Sequence, residues 1–419
     1  MHYVIAGAGP AGVIAAETLR RQDPQGDISL LDRQQEPPYS RMAIPYYLVG
    51  NIEEAGTYLR KESGHFEKLG IERVAQGIQS VQPADRHITL DDGSRLQYDR
   101  LLLATGSRPL VPPIPGIEHE NVTSCWDLEH ARHIVKLAKP GAKVVLIGAG
   151  FIGCIILEAL ALNKVELAVV EMGDRMVPRM MNATAGAMIK AWCEEKGVAV
   201  YTGTQVEAID SGGGGSPLSV KLSDGKTLPA DLVITATGVA ANIDYLEGSG
   251  VETDQGILVD EYLQSSDPNI FAAGDCAQGR DFSTGERSVH AIQPTAVEHG
   301  RIAAQNMAGG RIAYQGSINM NVLDTLGLIS TSFGLWMGVE GGDSVELHNP
   351  EQSRYLNLQF QDDVLVGATC VGLTEHVGVL RGLIQTRVPL GEWKEKLRKE
   401  PARLMEAYLA CRGNAPTPA

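Results

Sequence analysis

The sequence predicts an α/β chain: two Rossmann-like, three-layer dinucleotide-binding domains followed by a C-terminal α+β interface domain. Three observations predict it. His2–Leu19 (HYVIAGAGPAGVIAAETL) and Lys143–Leu160 (KVVLIGAGFIGCIILEAL) are copies of one pattern, a short apolar run, a GxGxxG turn and a helix-like stretch. Each copy is followed by a second apolar run ending in an acid, Asp32 in LLDR and Glu171 in AVVEM. Beyond about residue 323 the pattern changes to strands (RYLNLQFQ, LVGATCVG) and then to helices (HVGVLRGLIQTR, WKEKLRKEPARLMEAYLA).

The first unit needs its glycines for physical reasons. Gly7 allows the tight strand-to-helix turn, Gly9 lets a pyrophosphate approach the backbone, and Gly12 lets helix and strand pack closely. The helix start offers free N–H groups and the positive end of its dipole to the phosphates. Asp32 follows Gly12 by 20 residues, at the place where a carboxylate accepts hydrogen bonds from a ribose diol. Gly148, Gly150 and Gly153 repeat the arrangement, with Phe151 and Ile152 opening the second helix and Glu171 18 residues beyond Gly153. An acid there favours NAD over NADP, because it repels an extra phosphate; Arg175 and Arg179 follow closely and leave the preference open.

Between these landmarks, RHITLDDG and LSVKLSDG alternate and end in Asp-Gly turn signals, so each is part of a hairpin inserted into its nucleotide unit. Gly212 to Gly215 reads as a loop without a role of its own. SRPLVPPIPG marks a crossover from the first unit to the second, with a return near residues 241–245. The expected domains are residues 1–116 with 246–322, residues 117–245, and residues 323–419.

Composition narrows the class. The 419 residues carry 36 basic and 51 acidic side chains, a net charge of −15, which disfavours nucleic acid and anionic membrane as partners. The first residues have no basic n-region or cleavage site, and no window approaches the roughly 18 uncharged apolar residues of a membrane span. Six cysteines, Cys125, Cys154, Cys193, Cys276, Cys370 and Cys411, form neither CxxC nor CxxxxC. That spacing offers no in-chain dithiol and no iron–sulfur or zinc site, and a reducing, cytoplasmic location is the simplest expectation.

Further segments carry a family resemblance: LLLATGSRP (Leu101–Pro109), VITATGVAANIDYL (Val233–Leu246) and NIFAAGDCA (Asn269–Ala277). With the two glycine motifs, and in this order, the whole chain resembles the FAD-dependent pyridine nucleotide-disulfide oxidoreductases. The resemblance implies an FAD domain interrupted by an inserted NAD domain, then an interface domain. It implies that Gly7, Gly9, Gly12, Asp32, Arg41, Ile78, Thr105, Gly106, Asp275, Thr295 and Ala296 hold FAD. It likewise implies that Gly148, Gly150, Phe151, Ile152, Gly153, Glu171 and Gly238 hold NAD(H). Asp275 would bind the ribitol, and the helix begun by Gln293-Pro294-Thr295-Ala296 would face the flavin N1–O2 edge. Phe151 matches an aromatic gate over the flavin. Cys276, His290 and His299 read as structural.

Departures from the family narrow the chemistry. Met42 stands in MAIPYY where thiol-dependent relatives have their single cysteine, and a thioether forms neither a thiolate nor a reversible sulfenate. Gly153 is followed by Cys154 and Ile155, so the glutamate of GxGxxGxE is gone. Tyr46 matches the lysine that pairs with it in ferredoxin-reductase relatives. Loss of both partners implies an apolar nicotinamide pocket. The expected activity is hydride exchange between nicotinamide and flavin, with electrons leaving to an iron–sulfur protein or subunit. Within the branch of NADH oxidases, nitrite reductases and rubredoxin reductases, the chain resembles the flavin subunit of tungsten aldehyde oxidoreductases. A stand-alone ferredoxin or rubredoxin reductase, a peroxide-forming NADH oxidase and an NADH-sensing interaction flavoprotein are the alternatives. The C-terminal domain reads as a surface for a homodimer or a partner, with no rubredoxin, iron–sulfur or haem module after it.

Overall fold

The computed structural model describes residues 1–212, 215–411 and 413. Gly213 and Gly214 of the glycine loop lie outside the described residues. The chain divides into two compact units, Met1–Arg108 with Val239–Ser317, and Pro109–Gly238 with Ile318–Ala419.

The first unit is built on a five-stranded parallel sheet in the spatial order Ile270–Ala272, Arg100–Leu103, His2–Ala6, Asp27–Leu31, Ile71–Val74. Its central strands are buried on both faces, which is why they read as unbroken apolar runs rather than alternation. The helix Pro10–Gln22 starts on proline, whose missing N–H would be unbonded there anyway, and ends with Arg20 and Arg21 at its negative pole. It packs on the helix Gln293–Met307 so closely that a Cβ on Gly300 would stand 2.2 Å from the Ala11 carbonyl oxygen. Strands Ile78–Gln82, His87–Leu90 and Arg95–Gln97 form the inserted antiparallel sheet.

The second unit repeats this plan. Its parallel sheet has the order Ala199–Thr202, Glu166–Glu171, Lys143–Ile147, Leu232–Thr235, Val122–Ser124. The inserted antiparallel sheet comprises Val206–Ser211, Leu218–Leu222 and Thr227–Ala230. The helix Phe151–Leu162 is far more apolar than its counterpart, because it packs against another layer: the strand Met320–Thr325 of the C-terminal sheet. That sheet is antiparallel, in the order Met320–Thr325, Leu328–Gly334, Val364–Val371, Arg354–Gln361, Asp343–Asn349. Asn182 donates to the Tyr355 hydroxyl (2.7 Å) and Trp192 Nε1 to the Leu326 carbonyl (3.2 Å), joining sheet to nucleotide half.

The boundaries of these units differ from those expected, and hydrogen bonds give the reason. Residues 109–116 sit with the second unit: Leu110 N–H donates to Gly238 O (2.9 Å) and Ile209 N–H to Pro115 O (2.8 Å). Residues 239–245 sit with the first: Asn242 N–H donates to Gly106 O (2.9 Å) and its Nδ2 to Thr105 O (2.9 Å). The C-terminal layer groups with the second nucleotide half through the Asn182 and Trp192 bonds. No helix among the described residues is long and apolar enough to cross a membrane.

Candidate cofactor sites

Both glycine turns have the same geometry. Gly7 adopts φ +113°, and a Cβ on it would stand 2.1 Å from Ala104 O; a Cβ on Gly12 would stand 1.8 Å from Gly7 O. Gly9 differs, with nothing within 4 Å of its Cβ position and no side-chain cap on the helix start. That combination leaves backbone amides facing open space, the cradle a pyrophosphate needs. In the second unit a Cβ on Gly153 would stand 2.1 Å from Gly148 O, and Gly150 is open. Phe151 and Ile152, both partly buried, open the helix beside it.

Asp32 lies in the turn that follows the strand Asp27–Leu31, beside a hollow of about 290 Å³ lined by Asp32, Gln35, Arg73, Val74 and Ala75. Oδ1 accepts one backbone bond, from Gln34 (3.1 Å), and Arg73 approaches Oδ2 only to 3.9 Å. Burial, opposed by the Gln34 bond and the Arg73 charge, pushes the carboxyl up to about 6. A desolvated carboxylate with spare acceptor capacity beside a hollow fits a ribose diol. Ile78 is nearby in the fold, its carbonyl accepting from Arg33 Nη2 (3.3 Å).

Asp275 is partly buried in the same unit. Its Oδ2 accepts from Ser107 Oγ (2.7 Å), and burial raises its pKa against the Ser107 bond and the Arg41 charge. Arg41 acts electrostatically on both Asp32 and Asp275, and its Nη1 stands 3.6 Å from the Cβ position of Gly106. A Cβ on Gly274 would stand 3.4 Å from the Cβ of the buried Ala296, which places Asp275 beside the start of the Gln293–Met307 helix; Thr295 is buried there too. The Thr105 hydroxyl lies 2.9 Å from Asn242 O and 3.0 Å from Tyr245 Oη, tying together the crossover segments. Sequence reasoning missed Arg73 and Ser107. Ser107 lies inside the quoted ATGSRP segment, but no local signal aims it at a residue 168 positions away.

Glu171 is folded onto its own glycine turn. Oε2 accepts from Ala149 N–H and Oε1 from Gly173 N–H, both at 2.7 Å. Arg175 is committed elsewhere: Nε to Met181 O (2.9 Å), Nη1 to the Asp174 carboxylate (2.8 and 3.0 Å) and Nη2 to Pro178 O (3.5 Å). Arg179 is exposed. Gly238, with φ +116°, follows the strand Leu232–Thr235, across from Gly148, whose Cβ position is 2.5 Å from Ala236 O.

All six cysteines are buried and none is in a disulfide; burial raises every thiol, those of Cys125, Cys193 and Cys370 to about 12. Met42 is 45% exposed in the turn Arg41–Ala43, and Tyr46 is exposed in the helix Ile44–Val49. His299 is buried on the Gln293–Met307 helix against Tyr314, and burial, then the His290 charge, pushes it down to about 3. His290 pairs with Asp281 at 3.0 Å.

Comparison with known proteins agrees with this construction. Residues 1–300 match the family model for pyridine nucleotide-disulphide oxidoreductases. The chain is 33% identical over 403 residues to the NADH-dependent phenylglyoxylate dehydrogenase subunit epsilon of Aromatoleum evansii, covering 95% of both chains. It is 30% identical over 307 residues to the 3-phenylpropionate/cinnamic acid dioxygenase ferredoxin–NAD(+) reductase component of Photorhabdus laumondii, covering 73% of this chain and 77% of that one. The crystal structure of the covalent putidaredoxin reductase–putidaredoxin complex matches with a TM-score of 0.89 at 26% identity, covering 98% of this chain and 99% of that one. Two parallel-sheet nucleotide units with paired glycine cradles, and these relatives, lead to one conclusion: the chain belongs to the FAD-dependent pyridine nucleotide-disulphide oxidoreductase family and is an NAD(H)-dependent flavin oxidoreductase, with FAD and NAD(H) as its cofactors.

Proposed function

We propose that this chain passes electrons between NAD(H) and an iron–sulfur protein, as the flavin subunit of a larger redox complex. The observation that carries the reading is that the described residues offer no exposed thiol. Met42 replaces the redox cysteine, and all six cysteines are buried with raised pKa values. Bound FAD supplies the conversion between a two-electron hydride and single electrons. With no exposed thiol among the described residues to receive them, the reading sends the electrons on to a partner protein. The subunit reading is supported by a relative, matched over nearly its full length, that is itself named as a subunit. The partner class is supported by the ferredoxin reductase component and the putidaredoxin complex. A tungsten aldehyde oxidoreductase is the complex we favour, on the sequence resemblance alone.

In this reading, Gly9 and its helix start bind the FAD pyrophosphate, Asp32 the adenosine ribose, and Asp275, held by Ser107, the ribitol. Thr105 acts by fixing the crossover turn. Gly150 and the helix begun by Phe151 and Ile152 bind the NAD pyrophosphate, Glu171 selects NAD by its ribose, and Phe151 gates the nicotinamide. The commitment of Arg175 to Asp174 and two carbonyls strengthens the preference for NAD, because that guanidinium is not offered to a 2′-phosphate. The test is anaerobic. NADH should bleach the yellow protein, and the reduced protein should then reduce an added [2Fe–2S] ferredoxin. Purification from its source should bring iron- or tungsten-containing subunits with it. Isolation as a fast oxygen-consuming homodimer that ignores ferredoxin would support the NADH oxidase alternative instead.

A further inference from the structure

The crossover segment carries two adjacent large apolar side chains in the open, Leu110 at 47% and Val111 at 61% exposure. A single exposed leucine is ordinary; a neighbouring pair held in place offers an apolar ligand surface somewhere to rest. This pair is fixed. Pro109, Pro112, Pro113 and Pro115 stiffen the segment. Leu110 N–H donates to Gly238 O (2.9 Å), and its carbonyl accepts from Thr237 Oγ1 (2.9 Å). Leu110 Cδ1 stands 3.6 Å from the Cβ position of Gly238.

The sheet says what covers it. From Lys143–Ile147 the strand order runs to Glu166–Glu171 on one side and to Leu232–Thr235 on the other, which makes the gap between Lys143–Ile147 and Leu232–Thr235 the switch point. Ligands of open parallel sheets bind beyond the carboxyl ends of the strands at this point. Its two lips are the glycine turn at Gly148 and the segment Ala236–Gly238, which meet where the Gly148 Cβ position lies 2.5 Å from Ala236 O. Glu171 sets the direction of the dinucleotide: the adenosine ribose lies on its side of the switch point and the pyrophosphate over the open Gly150. The nicotinamide riboside then extends the other way, across Ala236–Gly238, to where Leu110 and Val111 are fastened.

We propose that Leu110 and Val111 form the apolar wall of the nicotinamide-riboside subsite, positioning that half of NAD(H) by apolar contact. This rests on Glu171 and Gly150 holding the adenosine and pyrophosphate. The test titrates FAD-loaded full-length protein, calorimetrically and without oxygen, with NAD⁺ and with ADP-ribose, which lacks the nicotinamide ring. Val111→Ser should weaken NAD⁺ binding about tenfold and leave ADP-ribose within about twofold of wild type; Leu110→Ala should act in the same direction, and Val111→Ile should restore wild-type NAD⁺ affinity. Equal loss of both ligands, or no change in either, would overturn the proposal. So would normal NAD⁺ binding combined with loss of ferredoxin reduction, which would make the pair a protein-docking surface. Wild type that binds neither ligand would instead remove the underlying assignment of Glu171 and Gly150.

Discussion

Asp32 and Glu171 hold equivalent places in two copies of one fold and meet their surroundings in opposite ways. Asp32 faces a hollow, takes one backbone bond and is destabilised as an anion, with a pKa of about 6. Glu171 spends both oxygens on its own chain, at Ala149 and Gly173. In the proposed reading, the first arrangement leaves a partly buried charge that a ribose diol would satisfy further, which suits a cofactor that stays. The second is satisfied without ligand and, in the proposed reading, would give up existing bonds on binding, which suits a cofactor that comes and goes. The surrounding layers follow the same division. The first helix is locked to Gln293–Met307 by the close Ala11–Gly300 contact, whereas the second lies against the C-terminal sheet.

The largest test of this comparison uses the two open glycines. Gly9 and Gly150 have no atom within 4 Å of their Cβ positions and ordinary negative φ, so a larger side chain enters phosphate space without disturbing the protein. Gly9→Val should fold with wild-type circular dichroism and hold no flavin, losing FAD affinity by at least about 100-fold. Gly150→Val should remain yellow and resist bleaching by NADH. Gly9→Val protein that keeps stoichiometric FAD would break the assignment of the first unit.

Asp32→Asn comes next, and its effects on binding and stability have opposite signs. The wild-type carboxyl has its folded pKa raised from 3.8 to about 6. The folded apoprotein therefore holds this proton more firmly than the unfolded chain, and stability falls as pH rises through the window from about 4 to about 6. The difference, roughly two units at ~1.4 kcal/mol each, amounts to up to ~3 kcal/mol at neutral pH. Asparagine keeps the acceptor for Gln34 and removes the charge. Apo Asp32→Asn should melt above wild type at pH 7 and level with it at pH 4, while FAD affinity falls more than about tenfold. Wild-type FAD affinity should decline as pH drops below about 6, and the variant should lack that slope. Equilibrium dialysis across pH and apoprotein melting curves measure both.

Much of this contrast was readable in the sequence, and the unreadable part has a common cause. The glycine turns, their acids and the inserted hairpins are local patterns, in which spacing alone dictates a strand, a turn or a helix start. Ser107 on Asp275, Arg73 beside Asp32 and the grip of Glu171 on Ala149 depend on which strands neighbour one another, and no single segment encodes that. The same limit applies to the crossover. SRPLVPPIPG announces a linker, but only the bonds of Leu110 to Gly238 and Thr237 and of Ile209 to Pro115 tell which unit keeps it. Thr105 adds a contact the motif does not encode: its hydroxyl is engaged by Asn242 and Tyr245, 137 and 140 positions away.

At Glu171 a smaller effect is expected, confined to one unit. Glu171→Ser removes the carboxylate that accepts from two backbone N–H groups and repels a 2′-phosphate. NADH affinity should fall about tenfold and discrimination against NADPH should shrink by a similar factor, with flavin content unchanged. Stopped-flow bleaching with each nucleotide reads both. Unchanged discrimination would shift the selectivity to Arg175 and Asp174, and Arg175→Ala would then be the variant that moves it.

The finest test falls on Phe151, which sits at the first helical position beside the open Gly150, where the first unit has Pro10 beside Gly9. Proline there serves a helix start and nothing more. An aromatic ring at the same place adds nothing to the helix start that proline lacks, and its propensity for helix is unremarkable. Its presence is explained if the ring covers a neighbouring surface until nicotinamide displaces it. Phe151→Ala should then bind NADH somewhat more tightly, by about two- to fivefold, since no ring has to be moved aside, and should change the rate of anaerobic bleaching by a similar factor. Phe151→Pro would make the second turn match the first and should behave as Phe151→Ala does. If both variants leave affinity and rate at wild-type values, the ring is packing alone, and the two glycine turns differ in function only through their acids.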